Sequence, residues 1–139
     1  MNILVDTSVW SLALRRAPHD LSASEKEIVG ELAELINEGR ARIIGLVRQE
    51  LLSGIKTAAQ FAKLRDTLSS FPDEEVDTAD YELAAALGNR CRSRGLAVSI
   101  PDMLICSVAQ ARAWSVFSTD PDFKRYAGIL SLKLHEVRR

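Results

Sequence analysis

Ile3-Leu4-Val5-Asp6-Thr7-Ser8-Val9-Trp10 joins a short β-branched apolar run to three residues that favour helix caps. The run predicts a buried strand, and the cap residues ahead of Val9-Trp10 predict that it turns directly into a helix. The rest of the chain repeats this alternation. Pro18, His19 and Asp20 break the first helix, and Ser22-Ala23-Ser24-Glu25 has capping-box spacing ahead of Ile28, Leu32, Leu35 and Ile36, with Gly39 as the stop. Arg42-Ile43-Ile44-Gly45 reads as a second strand, followed by helices from Leu46 to Gly54 and from Ala58 to Leu68, before Pro72. Glu75-Val76-Asp77 is a candidate strand, and Thr78 to Arg94 a helix closed by Gly95. Asp102 to Ala113 is a helix after Pro101, Ser115-Val116-Phe117-Ser118 a strand, and the alternating Ile129–Leu134 a last strand. Short strands alternating with helices predict an α/β fold with a mostly parallel central sheet and helices on both faces. No linker or repeat divides residues 1–139, so a single domain is expected.

The composition, 47% hydrophobic and 27% charged over 139 residues, excludes a disordered chain and is enough for a real core. No apolar run approaches the roughly 20 residues of a membrane span, and Met1-Asn2-Ile3 does not open a basic leader, so no membrane association and a cytoplasmic address are expected. Cys91 and Cys106 lack metal-site spacing and read as buried free thiols. The net charge of −1, from 18 Lys plus Arg against 19 Asp plus Glu, gives no strongly basic field for nucleic acid. Arginines nevertheless cluster at Arg15-Arg16, Arg40-Arg42, Arg90-Arg92-Arg94 and Lys124-Arg125, leaving room for local phosphate contacts. Arg90 and Arg94 more simply complement the helix dipole before Gly95.

Four acids punctuate the elements: Asp6 after the first strand, Glu50 on an early helix, Asp102 at a helix start and Asp120 after a late strand. Individually, Asp6 can be an N-cap, Asp102 a first-turn charge and Asp120 a turn initiator before Pro121. Glu50 is harder to explain, because it lies amid Val47, Leu51, Leu52 and Ile55, where an unpaired carboxylate calls for a cation. Gly54, one turn on, would leave space beside it for a substrate. Ile105 and Ala109 follow Asp102 at helical spacing and aim it at the strand ends. Ligands of parallel sheets bind beyond those ends. Carboxylates converging there repel one another unless a divalent ion offsets the charge, and an all-oxygen set favours Mg²⁺ or Mn²⁺ over zinc. Thr7, Ser8, Ser118 and Thr119 add hydroxyls that either cap helices or orient carboxylates. Asp122 is a further acid beside the cluster, expected behind the ligands or as an optional ligand. His19 and His135 acquire no catalytic role. The acids alone also allow a regulatory module whose acidic pocket binds without catalysis, or a metal phosphoesterase acting on DNA or small phosphate esters.

The segments Ile3–Trp10, Gln49-Glu50-Leu51-Leu52-Ser53-Gly54, Pro101-Asp102-Met103-Leu104-Ile105 and Ser118-Thr119-Asp120-Pro121-Asp122-Phe123 together resemble the PIN-domain ribonucleases, and among them the VapC toxins of bacterial toxin–antitoxin pairs. The resemblance spans essentially the whole chain. It implies a PIN-like three-layer α/β/α sandwich in which Asp6, Glu50, Asp102 and Asp120 form a metal-binding quartet. Ser118 falls at the family's hydroxyl position before the last acid, and Thr7 at the one after the first. It further implies Mg²⁺- or Mn²⁺-dependent endonucleolytic hydrolysis of RNA, often tRNA or rRNA, a homodimer, and a cognate antitoxin that covers the acidic cleft.

Overall fold

The computed structural model describes residues 1–139. Five short strands, β1 (Ile3–Val5), β2 (Ala41–Ile44), β3 (Asp73–Glu74), β4 (Ser115–Phe117) and β5 (Lys133–Leu134), form one sheet in the order β3-β2-β1-β4-β5. Every pairing is parallel, with Ile3 opposite both Ala41 and Ser115. Between them run α1 (Thr7–Leu14), α2 (Ala23–Asn37), α3 (Gly45–Leu52), α4 (Ala58–Leu68), α5 (Thr78–Ser93), α6 (Ile100–Arg112) and α7 (Asp122–Ala127). The chain steps from β1 to β3 in one direction, then returns to the other side of β1 for β4 and β5. Right-handed crossovers therefore place α1 to α4 on one face and α5 to α7 on the other. The strand order reverses between β1 and β4, the position where a parallel sheet opens a crevice at its carboxyl edge.

Coverage on both faces explains why β1 and β4 are buried along their whole length. One apolar cluster runs through both layers; Trp10, Ile43, Ile44, Val47 and Leu51 belong to one side of the chain's path, Ile105, Val108, Phe123 and Tyr126 to the other. Both cysteines are buried and unbridged, as their sequence context implied. No helix is long and apolar enough to cross a membrane.

Several boundaries depart from expectation for identifiable reasons. α1 begins at Thr7, because Asp6 is its N-cap with extended backbone and its side chain accepts from the Ser8 amide. α3 ends at Leu52, and Gly54 adopts a left-handed φ of 83° in the following loop, so it does not share a helix face with Glu50. The expected strand at 75–77 is replaced by β3 directly after Pro72; Asp77 instead forms a capping box with Asp80 at the start of α5. α6 starts two residues before Asp102, capped by the Ser99 hydroxyl, which accepts from the Asp102 amide at 3.2 Å. The strand expected from Ile129 shrinks to Lys133–Leu134, since the amides of Ile129 and Leu130 still bond back to the Tyr126 carbonyl at the end of α7.

Away from the sheet's carboxyl edge, buried acids are met by cations. Asp80 accepts both terminal nitrogens of Arg112, at 3.0 and 2.9 Å, and Glu31 accepts Arg138 and lies 2.6 Å from His135. Hydrogen bonding from Arg112 holds the Asp80 carboxyl below its ordinary range despite burial. Burial would raise Glu31, but Arg138 and His135 outweigh it and hold this group low too. A depressed carboxyl stabilises the fold fully above its unfolded value, and that stabilisation is lost as pH falls through the folded value. Acid unfolding is therefore expected to accelerate below the ordinary carboxylate range. Asp80→Ala removes the bidentate partner of Arg112, leaving it Glu74 at 3.8 Å, and should cost about 3 kcal/mol, measured by urea denaturation at pH 7 and largely absent at acid pH.

Candidate active site

The carboxyl edge of the sheet collects acids from four elements. Asp6 leaves β1, Glu50 sits in the last turn of α3, Asp102 in the first turn of α6, and Asp120 in the loop after β4. Asp6 is buried, while Glu50, Asp102 and Asp120 are half-buried.

Hydroxyls tie them together across the crevice. The Ser118 hydroxyl donates to Asp6 Oδ2 at 2.7 Å and accepts from the Asp120 amide at 3.0 Å, bridging the ends of β1 and β4. Ser8 repeats the device, donating to the same Asp6 oxygen at 2.8 Å and accepting from the Thr119 amide at 3.0 Å. Thr7 donates to Glu50 Oε1 at 2.9 Å, so residues either side of one backbone turn hold two of the acids. Asp120 Oδ1 accepts from the Asp122 amide at 2.9 Å, which makes it the start of α7 as well as a site residue. Of the four hydroxyls that the sequence singled out, Thr7, Ser8 and Ser118 orient carboxylates; Thr119 contributes only its backbone.

All these partners are neutral. Elsewhere the protein meets its buried acids with arginine, as at Asp80 and Glu31, whereas Asp6, Glu50, Asp102 and Asp120 receive only hydroxyl and amide donors. The cation that Glu50 called for is not supplied by a side chain; Thr7 is its partner. Neutral donors fix orientation and leave the negative charge undiminished. The second oxygens of Asp6, Glu50 and Asp120 remain accessible, since no buried side-chain oxygen lacks a partner. Burial pushes the Asp102 carboxyl above its usual range, and the charges of Asp6 and Asp120 push it in the same direction, only partly opposed by hydrogen bonds from Tyr126 and Ser99. That is the expected behaviour of carboxylates gathered without a countercharge.

Oxygens of Asp102, Asp120 and Asp122 all lie within 4.8 Å of one another. Opposite ligands of one small hard cation stand about 4 Å apart, so this cluster can coordinate a divalent ion, and its all-carboxylate chemistry suits one. The grouping differs from the sequence-based quartet. Asp122, expected either behind the ligands or as an optional ligand, lies in the compact set, although Arg125 also contacts it. Asp6 and Glu50 stand outside that triplet, Asp6 being near enough to act on Asp102 electrostatically.

Sequence reasoning missed Tyr126. Its hydroxyl donates to Asp102 Oδ2 at 2.8 Å from a buried position on α7. Burial, and then the hydrogen bond to Asp102, push the phenol well above its ordinary range and keep it a neutral donor. The available signal was the four-residue spacing of Asp122 and Tyr126, which puts both on one helix face after the Asp120-Pro121 turn. Of the arginine clusters, Arg16, Arg40 and Arg125 are engaged with Glu25, Glu38 and Asp122. Arg15, Lys56 and Lys63 instead line an open cavity of about 410 Å³ between the end of α1 and α4, free of ion pairs.

A family model described as the PIN domain matches residues 3–129. Among solved structures, FitAcB from Neisseria gonorrhoeae superposes with a TM-score of 0.76 at 19% identity, covering 96% of each chain. VapBC2 from Rickettsia felis, bound to a DNA fragment from its promoter, gives 0.73 at 22% identity over 97% of this chain and 98% of its own. VapBC-5 from Mycobacterium tuberculosis, a toxin–antitoxin system, gives 0.69 at 24% identity over 99% and 100%. At these identities the likeness is one of fold. No curated protein sequence gives a significant match.

Proposed function

Because the chain belongs to the PIN-domain family, we propose that it is a metal-dependent endoribonuclease acting as the toxin of a toxin–antitoxin pair in the cytoplasm. The observation that carries this reading is that Asp6, Glu50, Asp102 and Asp120 at the β1/β4 switch point are held solely by neutral donors, the one side-chain cation at the centre being Arg125 on Asp122. Asp102, Asp120 and Asp122 would hold Mg²⁺ or Mn²⁺, with Asp6 and Glu50 completing the site directly or through water. A bound ion of this kind supplies Lewis acidity, lowering the pKa of water and offsetting charge on phosphoryl oxygens.

The chain's own groups do the remaining work. Ser8 and Ser118 hold Asp6 by one oxygen, so its other oxygen keeps a fixed direction into the crevice. Thr7 does the same for Glu50, whose free Oε2 can accept a proton from the attacking water and align it with the scissile phosphorus. In-line attack by water leaves a 5′-phosphate and a 3′-hydroxyl and needs no RNA 2′-hydroxyl. Arg15, Lys56 and Lys63, cations without ion pairs that line one cavity, would grip the RNA backbone.

The protein partners follow from the same reading. Among structures with this fold, one from Klebsiella pneumoniae is described as a toxin–antitoxin complex, and VapBC from Salmonella typhimurium and FitAB are described as DNA-bound, which supports a cognate antitoxin here. A homodimer is supported by the groove between α5 and α6, where Tyr81 and Ile100 expose large apolar surface to a second copy.

Incubation of the purified protein with total RNA, single-stranded DNA and a generic phosphate ester, in Mn²⁺ and again with chelator, tests the proposal. RNA alone should be cut, only with metal, and into fragments bearing 5′-phosphates. Loss of DNA or of the ester would select the phosphoesterase alternative, and no hydrolysis at all the binding module.

A further inference from the structure

α7 does more than close the sheet. It is only six residues long, yet it carries Asp122 in its first turn and Tyr126 one turn later, and it is fastened at both ends. Asp120 starts it, through its carbonyl to the Phe123 amide and its carboxylate to the Asp122 amide. Phe123 and Tyr126 anchor it in the core, edge to face with centroids 5.4 Å apart. The Tyr126 ring is therefore packed in the core, 2% exposed, and its one polar atom points at Asp102.

We propose that Tyr126 is the positioning residue of the metal centre: its hydroxyl, fixed by the docking of α7, sets the direction of the Asp102 carboxylate and so presets this ligand, beside Asp120 and Asp122, for a divalent cation. This rests on the metal-dependent reading above. The terminal torsion of an aspartate is broad and roughly two-fold, so a half-buried Asp102 without a partner would present its two oxygens interchangeably. A donor at 2.8 Å on Oδ2 removes that freedom. An arginine or lysine in the same place would also orient the group but would cancel the charge the cation needs; a phenol orients it and cancels nothing. The arrangement is the one found behind metal ligands generally, where an outer hydrogen bond sets ligand direction and its loss weakens the metal. Ser118 and Ser8 serve Asp6 in the same manner, but each also bonds the backbone after β4, so their removal would disturb the loop. Tyr126 offers a cleaner test, because its hydroxyl has Asp102 as its only hydrogen-bond partner.

Tyr126→Phe deletes that hydroxyl and keeps the ring. Calorimetric titration with Mn²⁺ alone should show binding weakened roughly 10- to 100-fold, with the far-ultraviolet spectrum unchanged. The electron paramagnetic resonance lines of protein-bound Mn²⁺ should broaden as its ligand set becomes less uniform. RNA cleavage should recover in part at high Mn²⁺, as expected when affinity rather than the fold is impaired. A variant that binds Mn²⁺ as tightly as the parent overturns the positioning role while leaving the nuclease reading intact. A variant that melts lower without metal, yet has the parental Mn²⁺ affinity and spectrum, overturns it too, in favour of simple packing. A parent protein that binds no Mn²⁺ overturns both readings.

Discussion

Asp102→Asn is expected to abolish the proposed RNA cleavage and to lower Mn²⁺ affinity by at least about 100-fold, with the protein remaining folded. The substitution is nearly isosteric, and the amide oxygen still accepts from Tyr126, so the hydrogen bond that anchors this position survives. What disappears is charge. Asp102 is half-buried, faces the fields of Asp6 and Asp120, and has no cationic side chain to offset them. Its ionised form is thus a cost to the metal-free fold, and the melting temperature without metal should hold or rise. In the parent, Mn²⁺ at a hundredfold excess over its dissociation constant adds about 2.7 kcal/mol of stability. The variant should lack that increment. Thermal melts with and without Mn²⁺, run beside a cleavage assay, read both effects. A variant that still gains stability from Mn²⁺, or cuts at the parental rate, removes Asp102 from the centre; a steep fall in the metal-free melt would make it a structural cap.

Trp10→Ala is expected to cost about 4 kcal/mol, the usual range for emptying a large aromatic site. Trp10 is 1% exposed, packs edge-on against Phe71 with centroids 5.0 Å apart, and donates its indole N–H to the Val5 carbonyl at 3.1 Å. That carbonyl immediately precedes Asp6, so the indole steadies the backbone from which the first acid projects. Two losses should therefore appear together. Urea denaturation reports the stability, and Mn²⁺ titration of the folded fraction reports a weakened site. Trp10→Phe keeps an aromatic ring in the site but loses the hydrogen bond and part of the packing, for a smaller cost of about 1–3 kcal/mol. Full Mn²⁺ affinity in the alanine variant would show that β1 needs no bracing from α1.

Much of this architecture can be read from residues alone, where a local signal is strong and agrees with its surroundings. The Ser22 and Glu25 capping box, the bounds of α4 and the strand-to-helix turn at Asp6 are of this kind, and together with the alternation of elements they carry the parallel sheet. The acids at strand and helix ends were legible for the same reason, since a parallel sheet sends every such residue to one edge. α7 was not. Six residues between Pro121 and Gly128 are too few for a periodic pattern, and the helix exists because Phe123 and Tyr126 find the core. With α7 hidden, Tyr126 was hidden as well, while Asp122 was legible only as an acid beside the cluster. β3 escaped because two residues next to Pro72 form a strand only through the partner that Ile43 and Ile44 offer them. The partner of Glu50 is set by the packing of α1 on α3, which no spacing within either segment records.

The serine link from β4 to Asp6 joins residues separated by 112 positions. During translation, Asp6 and Glu50 leave the ribosome long before Asp102, Asp120, Asp122 and Tyr126 exist, and β1 has no neighbour on that side until β4 emerges. Contacts of such long range form late in folding. The acids of the crevice are accordingly gathered at one edge only once β4 has docked beside β1.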